Sequence, residues 1–334
     1  MYKTPPAFMD PSTDNTLERL HVTDEKLDVA IIGGGPAGYT ATIYATRFML
    51  KHAMIAEDLG GLMLTADIVE NYPGFPSVKG KELMDRFKVH LDALGGRVVN
   101  ERVKSIVKQG QDFTIATENR IFVARSVIVA TGSERRKLGV KGEEEYADGC
   151  GVSYCATCDA AFFKNKVTCV VGGSDSAAKE AIVLSRVAKK VYVIYRKGKI
   201  RAEPAMAEKV YSCSNIEVIH NANVKEIVAD EKGMVCKVIL DTGQEIETKG
   251  VFIDVGFTPR SDLVKNLGVK LNKEGEIIVD QDCKTNVEGL FAAGDVTSNK
   301  LKQAITAAAD GAKACTAAFH YVQAARPDGA CKAT

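Results

Sequence analysis

Cys155 and Cys158 stand two residues apart in "SYCATCDAAFF" (153–163), and Asp159 follows at once. Thiols at this spacing admit three readings: half of a structural zinc site, a redox disulfide, or a coincidence of composition. Zinc needs two further ligands, normally a second C-x-x-C or a His pair. The histidines (His21, His52, His90, His220 and His320) are dispersed, and no other cysteine pair has that spacing. Dithiol chemistry needs no further ligand. The spacing brings two sulfurs within bonding distance, and an adjacent group can tune the thiolate. Asp159 could carry a proton to or from a leaving thiolate, or serve only as a helix cap or solvated acid.

A dithiol that turns over needs a source of electrons, and two glycine-rich stretches are candidates for holding one. Gly33, Gly35 and Gly38 form G-x-G-x-x-G directly after an apolar run. The first glycine makes a tight turn, the second lets backbone approach a pyrophosphate, and the third lets helix and strand pack closely. Glu57 closes the next apolar stretch, "HAMIAE", about 20 residues on, where an acid suits a ribose 2′-OH. That points to an adenine dinucleotide without a 2′-phosphate, FAD or NAD. The second stretch runs Gly172, Gly173, Ser174, Asp175, Ser176, Ala177, with small residues at the second and third glycine positions. No acid follows its next strand; Arg196, Lys197 and Arg201 stand there instead. Cations at this edge suit a 2′-phosphate and hence NADPH over NADH.

The elements that must position these groups are legible as patterns. "LDVAIIGGGPAGYTATIYATRFMLK" reads as strand, turn and helix, and "VTCVVGGSDSAAKEAIVLSRVAKKVYVIYRK" repeats the scheme about 140 residues later. The apolar runs "SVIVATG", "GVFIDVGFTPR" and "GLFAAGDV" each end on a glycine turn. The expected fold is α/β, two Rossmann-like doubly wound nucleotide-binding domains with one inserted into the other. Residues 27–135 and 259–334 make a discontinuous first domain, 136–258 the inserted second one, and 1–26 a loose polar extension.

With 334 residues, 46% hydrophobic and 26% charged, the chain has room for two ordinary globular cores. A formal net charge of +1 gives no global field to attract nucleic acid or a membrane surface. No apolar run is long enough to span a bilayer, and the first residues lack a secretory signal pattern. A cytoplasmic location is therefore expected. Nine scattered cysteines do not read as a secreted disulfide framework.

"CATCD" ahead of a nucleotide-binding strand, with "GGGPAG" upstream and "GLFAAGDV" downstream, resembles the low-molecular-weight thioredoxin reductases. "VENYPG", "VIVATGS" and "KQAITAAADG" extend the resemblance from about Leu27 to the late 320s. It implies FAD on the discontinuous domain, with Gly33, Gly35, Pro36, Ala37 and Gly38 at its pyrophosphate and Glu57 at its adenosine ribose. Asn71 would lie near the flavin, Gly294 and Asp295 at the ribityl or phosphate region, and Gln303 and Ala304 at the isoalloxazine. NADPH would lie on Gly173, Ser174, Asp175, Ser176 and Ala177, with Arg196, Lys197 and Arg201 at its 2′-phosphate. The implied reaction passes hydride from NADPH to FAD, two electrons to the Cys155–Cys158 disulfide, and then reduces thioredoxin or a thioredoxin-like protein by thiol exchange. The resemblance also implies a homodimer and a domain rotation near Ser133–Lys137 and Phe257–Ser261.

The sequence departs from the family pattern at Leu62, where Gln is usual, at Tyr195–Lys197, where H-R-R is usual, and at Lys302, where Arg is common. Competing readings are a relative fed by NADH or reduced ferredoxin, one that reduces a glutaredoxin-like partner, and a slow flavin redox sensor. Phe162 and Phe163 are candidate partner contacts or core residues.

Overall fold

A continuous run of apolar residues builds a strand buried on both faces, and the computed structural model shows this in both strand–turn–helix repeats. It describes residues 21–66, 69–147 and 149–325, without the side chains of 21–24, 157 and 158. Cys331 and the first twenty residues lie outside the described residues.

β1 (His21–Gly34), α1 (Pro36–Arg47) and β2 (His52–Leu59) open the fold. They are followed by α2 (Gly80–Ala93), β3 (Val98–Val99), β4 (Val103–Gln109), β5 (Asp112–Thr117) and β6 (Arg120–Val129). β7 (Ser133–Arg135) and β8 (Val152–Ser153) lead to α3 (Ala156–Asp159), a single turn. β9 (Val167–Val171), α4 (Asp175–Ser185) and β10 (Lys190–Tyr195) repeat the strand–helix–strand scheme. Next come α5 (Pro204–Ser212), β11 (Ile216–His220), β12 (Val224–Ala229), β13 (Val235–Leu240) and β14 (Glu245–Glu247). β15 (Gly250–Ile253), β16 (Phe257–Pro259), β17 (Leu290–Ala292) and α6 (Ala304–Ala324) complete it.

The chain divides into two units. One holds the described residues up to 64, with 70–132 and 259–325; the other holds 133–258 with 65, 66 and 69. In the first, the strand order is β3-β2-β1-β6-β5-β4, and β17 pairs β6. Its β1, β2, β3, β6 and β17 are parallel, while β4 and β5 add an antiparallel edge. Val29 and Ile31 of β1 face α1 and α6, and Leu27, Ala30 and Ile32 face the opposite core with Phe113 and Phe122. Both faces are covered, as a parallel sheet requires.

The second unit carries a parallel sheet in the order β11-β10-β9-β15-β8 and an antiparallel one, β12-β13-β14. Val170 of β9 packs with Ala177, Ala181 and Leu184 of α4. Cys169 and Val171 on its other face pack with Val224, Val238 and Ile246 of the antiparallel sheet.

The first strand begins earlier than its apolar run. His21 and Val22 pair with Arg120 and Ile121, and Lys26 with Val123, so 21–26 belong to the sheet and not to a loose extension. Strand pairing uses backbone groups, which a polar stretch supplies as well as an apolar one. Lys26 adds an ion pair to Asp112 at 2.6 Å.

Candidate active site

Cys155 lies immediately before α3 and is disulfide-bonded. Cys158 is in the turn of α3, but its side chain is outside the described ones. Cys150, Cys169, Cys213, Cys236, Cys283 and Cys315 are free thiols. The turn closes through the Asp159 amide, which donates to the Cys155 carbonyl at 3.2 Å. Ser153 supports both ends of the segment: its hydroxyl donates to Asp159 Oδ2 at 2.6 Å and accepts from the Cys155 amide at 3.1 Å. Asp159 is therefore held by a hydroxyl and makes no side-chain cap. Cys155 opens on a cavity of about 330 Å³, lined also by Thr65, Arg135, Lys137 and Tyr154 of the same unit.

Sequence reasoning missed a charged pair behind this segment. Arg135 Nη1 donates to the Tyr154 carbonyl and lies 3.8 Å from Glu180 Oε1. The same Glu180 oxygen accepts from the Ala156 amide at 3.4 Å. Burial pushes the Glu180 carboxyl up to about 7, with Asp254 adding to the rise while Arg135 and the Ala156 amide oppose it. No spacing rule links Arg135 of β7 with Glu180 of α4, which is why the pair is invisible in the sequence. The two phenylalanines separate: Phe162 is 71% exposed, whereas Phe163 is buried edge-on against Phe252.

The first cradle joins β1 to α1. Gly33 has φ +119°, and a Cβ there would lie 2.2 Å from the Ala130 carbonyl oxygen. A Cβ on Gly38 would lie 1.9 Å from the Gly33 carbonyl oxygen, so strand and helix meet backbone to backbone. Gly35 caps α1 with no side-chain hydrogen bond, and a Cβ there would meet nothing within 4 Å. Pro36 and Ala37 begin the helix. Glu57 is exposed near the end of β2, with Arg102 Nε 3.6 Å away. Asn71 Nδ2 donates to Gln303 Oε1 at 2.9 Å, which joins two residues distant in sequence just before Ala304 starts α6.

Gly294 and Asp295 form a tight turn after β17. Burial raises the Asp295 carboxyl, and Lys302 opposes the rise. Lys302 Nζ also donates to the carbonyls of Asp295 and Thr297 and pairs with Glu276 at 3.0 Å, so lysine at this position secures the turn. Leu62 lies in a short 3-10 turn, Gly61–Thr65.

The second cradle joins β9 to α4. Gly172 has φ +151°, and a Cβ on Gly173 would meet the Tyr195 ring at 2.5 Å. Ser174 caps α4 and its hydroxyl accepts from the Ala177 amide at 3.4 Å. Asp175 Oδ1 accepts from the Glu203 amide at 2.7 Å, which ties α4 to the start of α5; Ser176 follows in the first turn of α4. Arg196, Lys197 and Arg201 are exposed beyond β10. The Arg201 amide donates to the Gly173 carbonyl at 2.7 Å, which fixes the cationic loop against the cradle.

Residues 27–311 match the model of the pyridine nucleotide-disulphide oxidoreductases. The chain belongs to that family. A thioredoxin reductase of Listeria monocytogenes is 42% identical over 308 residues, 90% of this chain and 96% of the relative. One of Bacillus subtilis is 41% identical, over 90% of this chain and 97% of the relative. The crystal structure of Lactococcus lactis thioredoxin reductase is similar with a TM-score of 0.82 at 38% identity, over 89% of this chain and 99% of that one.

Within the family the chain falls among the thioredoxin reductases, flavin-dependent disulfide oxidoreductases of α/β fold with two Rossmann-like domains. A flavin and a nicotinamide nucleotide are the cofactors this membership implies. The alternative donors, the glutaredoxin-like partner and the slow sensor are not favoured. Among the described residues, no helix is long and apolar enough to cross a membrane.

Proposed function

We propose that the chain reduces the disulfide of thioredoxin or a thioredoxin-like protein through Cys155 and Cys158, with NADPH as the electron donor. The observation that carries this reading is the disulfide-bonded Cys155 at the head of a C-x-x-C turn whose acid, Asp159, is hydrogen-bonded back to the same segment through Ser153. With six other cysteines free, Cys158 is the partner we assign to Cys155.

The first unit's cradle suits FAD. The amides at the start of α1 carry no side-chain cap, the space over Gly35 is open, and helix N-termini favour phosphate. Pro36, Ala37 and Gly38 would continue that contact, Glu57 would take the ribose, and Gly294 and Asp295 the linker to the ring. Asn71, Gln303 and Ala304 would face the flavin. When bound, FAD supplies the conversion of a two-electron hydride into dithiol reduction.

The second unit's cradle, from Gly173 to Ala177, would hold the donor's diphosphate, with Arg196, Lys197 and Arg201 around the 2′-phosphate. Once the disulfide is reduced, Cys155 and Cys158 supply the thiolate that attacks the partner's disulfide, and Asp159 holds or returns a proton at the leaving sulfur. Six free thiols support a reducing, cytoplasmic setting. Homodimeric assembly belongs to the same reading.

Changing either cysteine to Ser tests it. C155S and C158S are each expected to abolish thioredoxin reduction, while NADPH still bleaches the flavin absorbance anaerobically. Thioredoxin reduction at the unaltered rate by both variants overturns the dithiol assignment.

A further inference from the structure

Cys155 sits between two peptide groups that are each held by a charged side chain. On its N-terminal side the Tyr154 carbonyl accepts from Arg135 of β7. On its C-terminal side the Ala156 amide donates to Glu180 of α4, at 3.4 Å. The two side chains face each other at 3.8 Å, with exposures of only 28% and 12%. Glu180 Oε2 is buried with no hydrogen-bond partner. We propose that Arg135 and Glu180 are positioning residues for Cys155, which fix its backbone from both sides and set the stability of its thiolate by opposing charges. This rests on the reading of Cys155 as a redox thiol.

The signs follow from electrostatics. Arg135 favours a nearby thiolate and ionised Glu180 disfavours it. The charged groups that face Glu180 are Arg135 and Asp254, which follows β15. Asp254 is itself raised by burial, while Arg135 and Arg201 oppose that rise. With its carboxyl pushed up to about 7, Glu180 is mostly neutral at pH 5.5 and mostly ionised at pH 8.5. Arg135 thus acts on the thiolate with little opposition in acid and against the full Glu180 charge in base. As pH rises, the thiolate gains less reactivity than an isolated thiol would.

The test uses the full chain carrying C158S, which leaves Cys155 unpaired, and reads the rate at which iodoacetamide alkylates Cys155 by mass spectrometry of its peptide. The reaction forms one thioether and releases iodide, so the rate follows the thiolate alone. E180Q keeps an oxygen for the Ala156 amide and removes the charge. It is expected to alkylate about 3- to 10-fold faster than the C158S parent at pH 8.5, as for a unit charge removed at short range behind partly screened surroundings. At pH 5.5 the two rates should agree within about twofold. An E180Q-to-parent ratio that does not change between these pH values overturns the proposal.

R135M should slow alkylation at pH 5.5, and R135K should recover part of that loss; equal rates for R135M and R135K overturn it as well. If E180Q fails to fold, the parent decides. Its rate should climb more shallowly between pH 6 and 8 than one thiol titration allows, and a profile that fits one titration overturns the idea. None of these rates depends on which protein accepts the electrons, so they separate this proposal from the thioredoxin assignment.

Discussion

At the start of α1 the capping residue is Gly35, which makes no side-chain hydrogen bond; at the start of α4 it is Ser174, whose hydroxyl accepts from the Ala177 amide. The third position of the motif differs as well. Gly38 has no room for a Cβ, which would lie 1.9 Å from the Gly33 carbonyl oxygen, whereas Ala177 already carries one and is fully buried. One cradle therefore presents bare amides on a helix pressed against its strand. The other has satisfied part of its amide set internally. The difference matches the two tasks proposed for them. A cofactor that stays bound through many turnovers benefits from amides with no competing partner. A donor that binds and leaves each cycle can rely on surface cations, and the exposed Arg196, Lys197 and Arg201 would supply them in that reading.

The comparison is broken most severely at Gly38. Adding the side chain of Val forces the helix off the strand at a backbone contact that no rotamer change can relieve. Overpacking of this kind costs about 1–3 kcal/mol or more. G38V should purify with little or no flavin, measured as absorbance per folded chain. At the corresponding place in the second unit, A177G should leave flavin content unchanged. Full flavin content in G38V would mean that the first cradle is not what holds the cofactor.

The cationic edge gives the next largest effect. A charge-assisted hydrogen bond is worth about 1.5–3 kcal/mol, or roughly ten- to a hundredfold in affinity. R196A together with R201A is expected to raise KM for NADPH by about that factor while the value for NADH stays put, because the 2′-phosphate is far from the transferred hydride. Steady-state kinetics with both donors reads it. Equal kcat/KM for NADPH and NADH in the unaltered chain would show the edge to be a solvated loop.

These regions also show where the sequence is readable. Gly33, Gly35 and Gly38 can be read because local geometry alone dictates them, and the same holds for Cys155 and Cys158. The strand from His21 to Lys26 was hidden, since its place in the sheet rests on backbone pairing with Arg120–Val123 and most of its residues are polar. Arg135 and Glu180 were hidden for a different reason. Each looks like an ordinary surface charge in its own segment, and only the packing of α4 against the C-x-x-C turn makes them neighbours. Asp175 reads locally as a nucleotide contact, but one of its oxygens is committed to the Glu203 amide at the start of α5. Phe162 and Phe163 are adjacent and alike in composition, yet one turn of backbone sends them to opposite environments.

The smallest effect is at the cap itself. Replacing an N-cap Ser by Gly costs only a few tenths of a kcal/mol of helix stability. S174G should therefore leave the second unit folded while releasing the Ala177 amide from its internal partner. It would convert the second cradle toward the first. Because the amides at a helix start act on the diphosphate, and both donors carry the same diphosphate, KM should fall about two- to threefold for NADPH and NADH alike. This distinguishes it from the Arg196 and Arg201 variants, which change the ratio between donors. Should S174G instead raise KM for both, the Ser174 hydroxyl would itself be a contact to the nucleotide. The two cradles would then differ in which group donates, and not in how many amides are free.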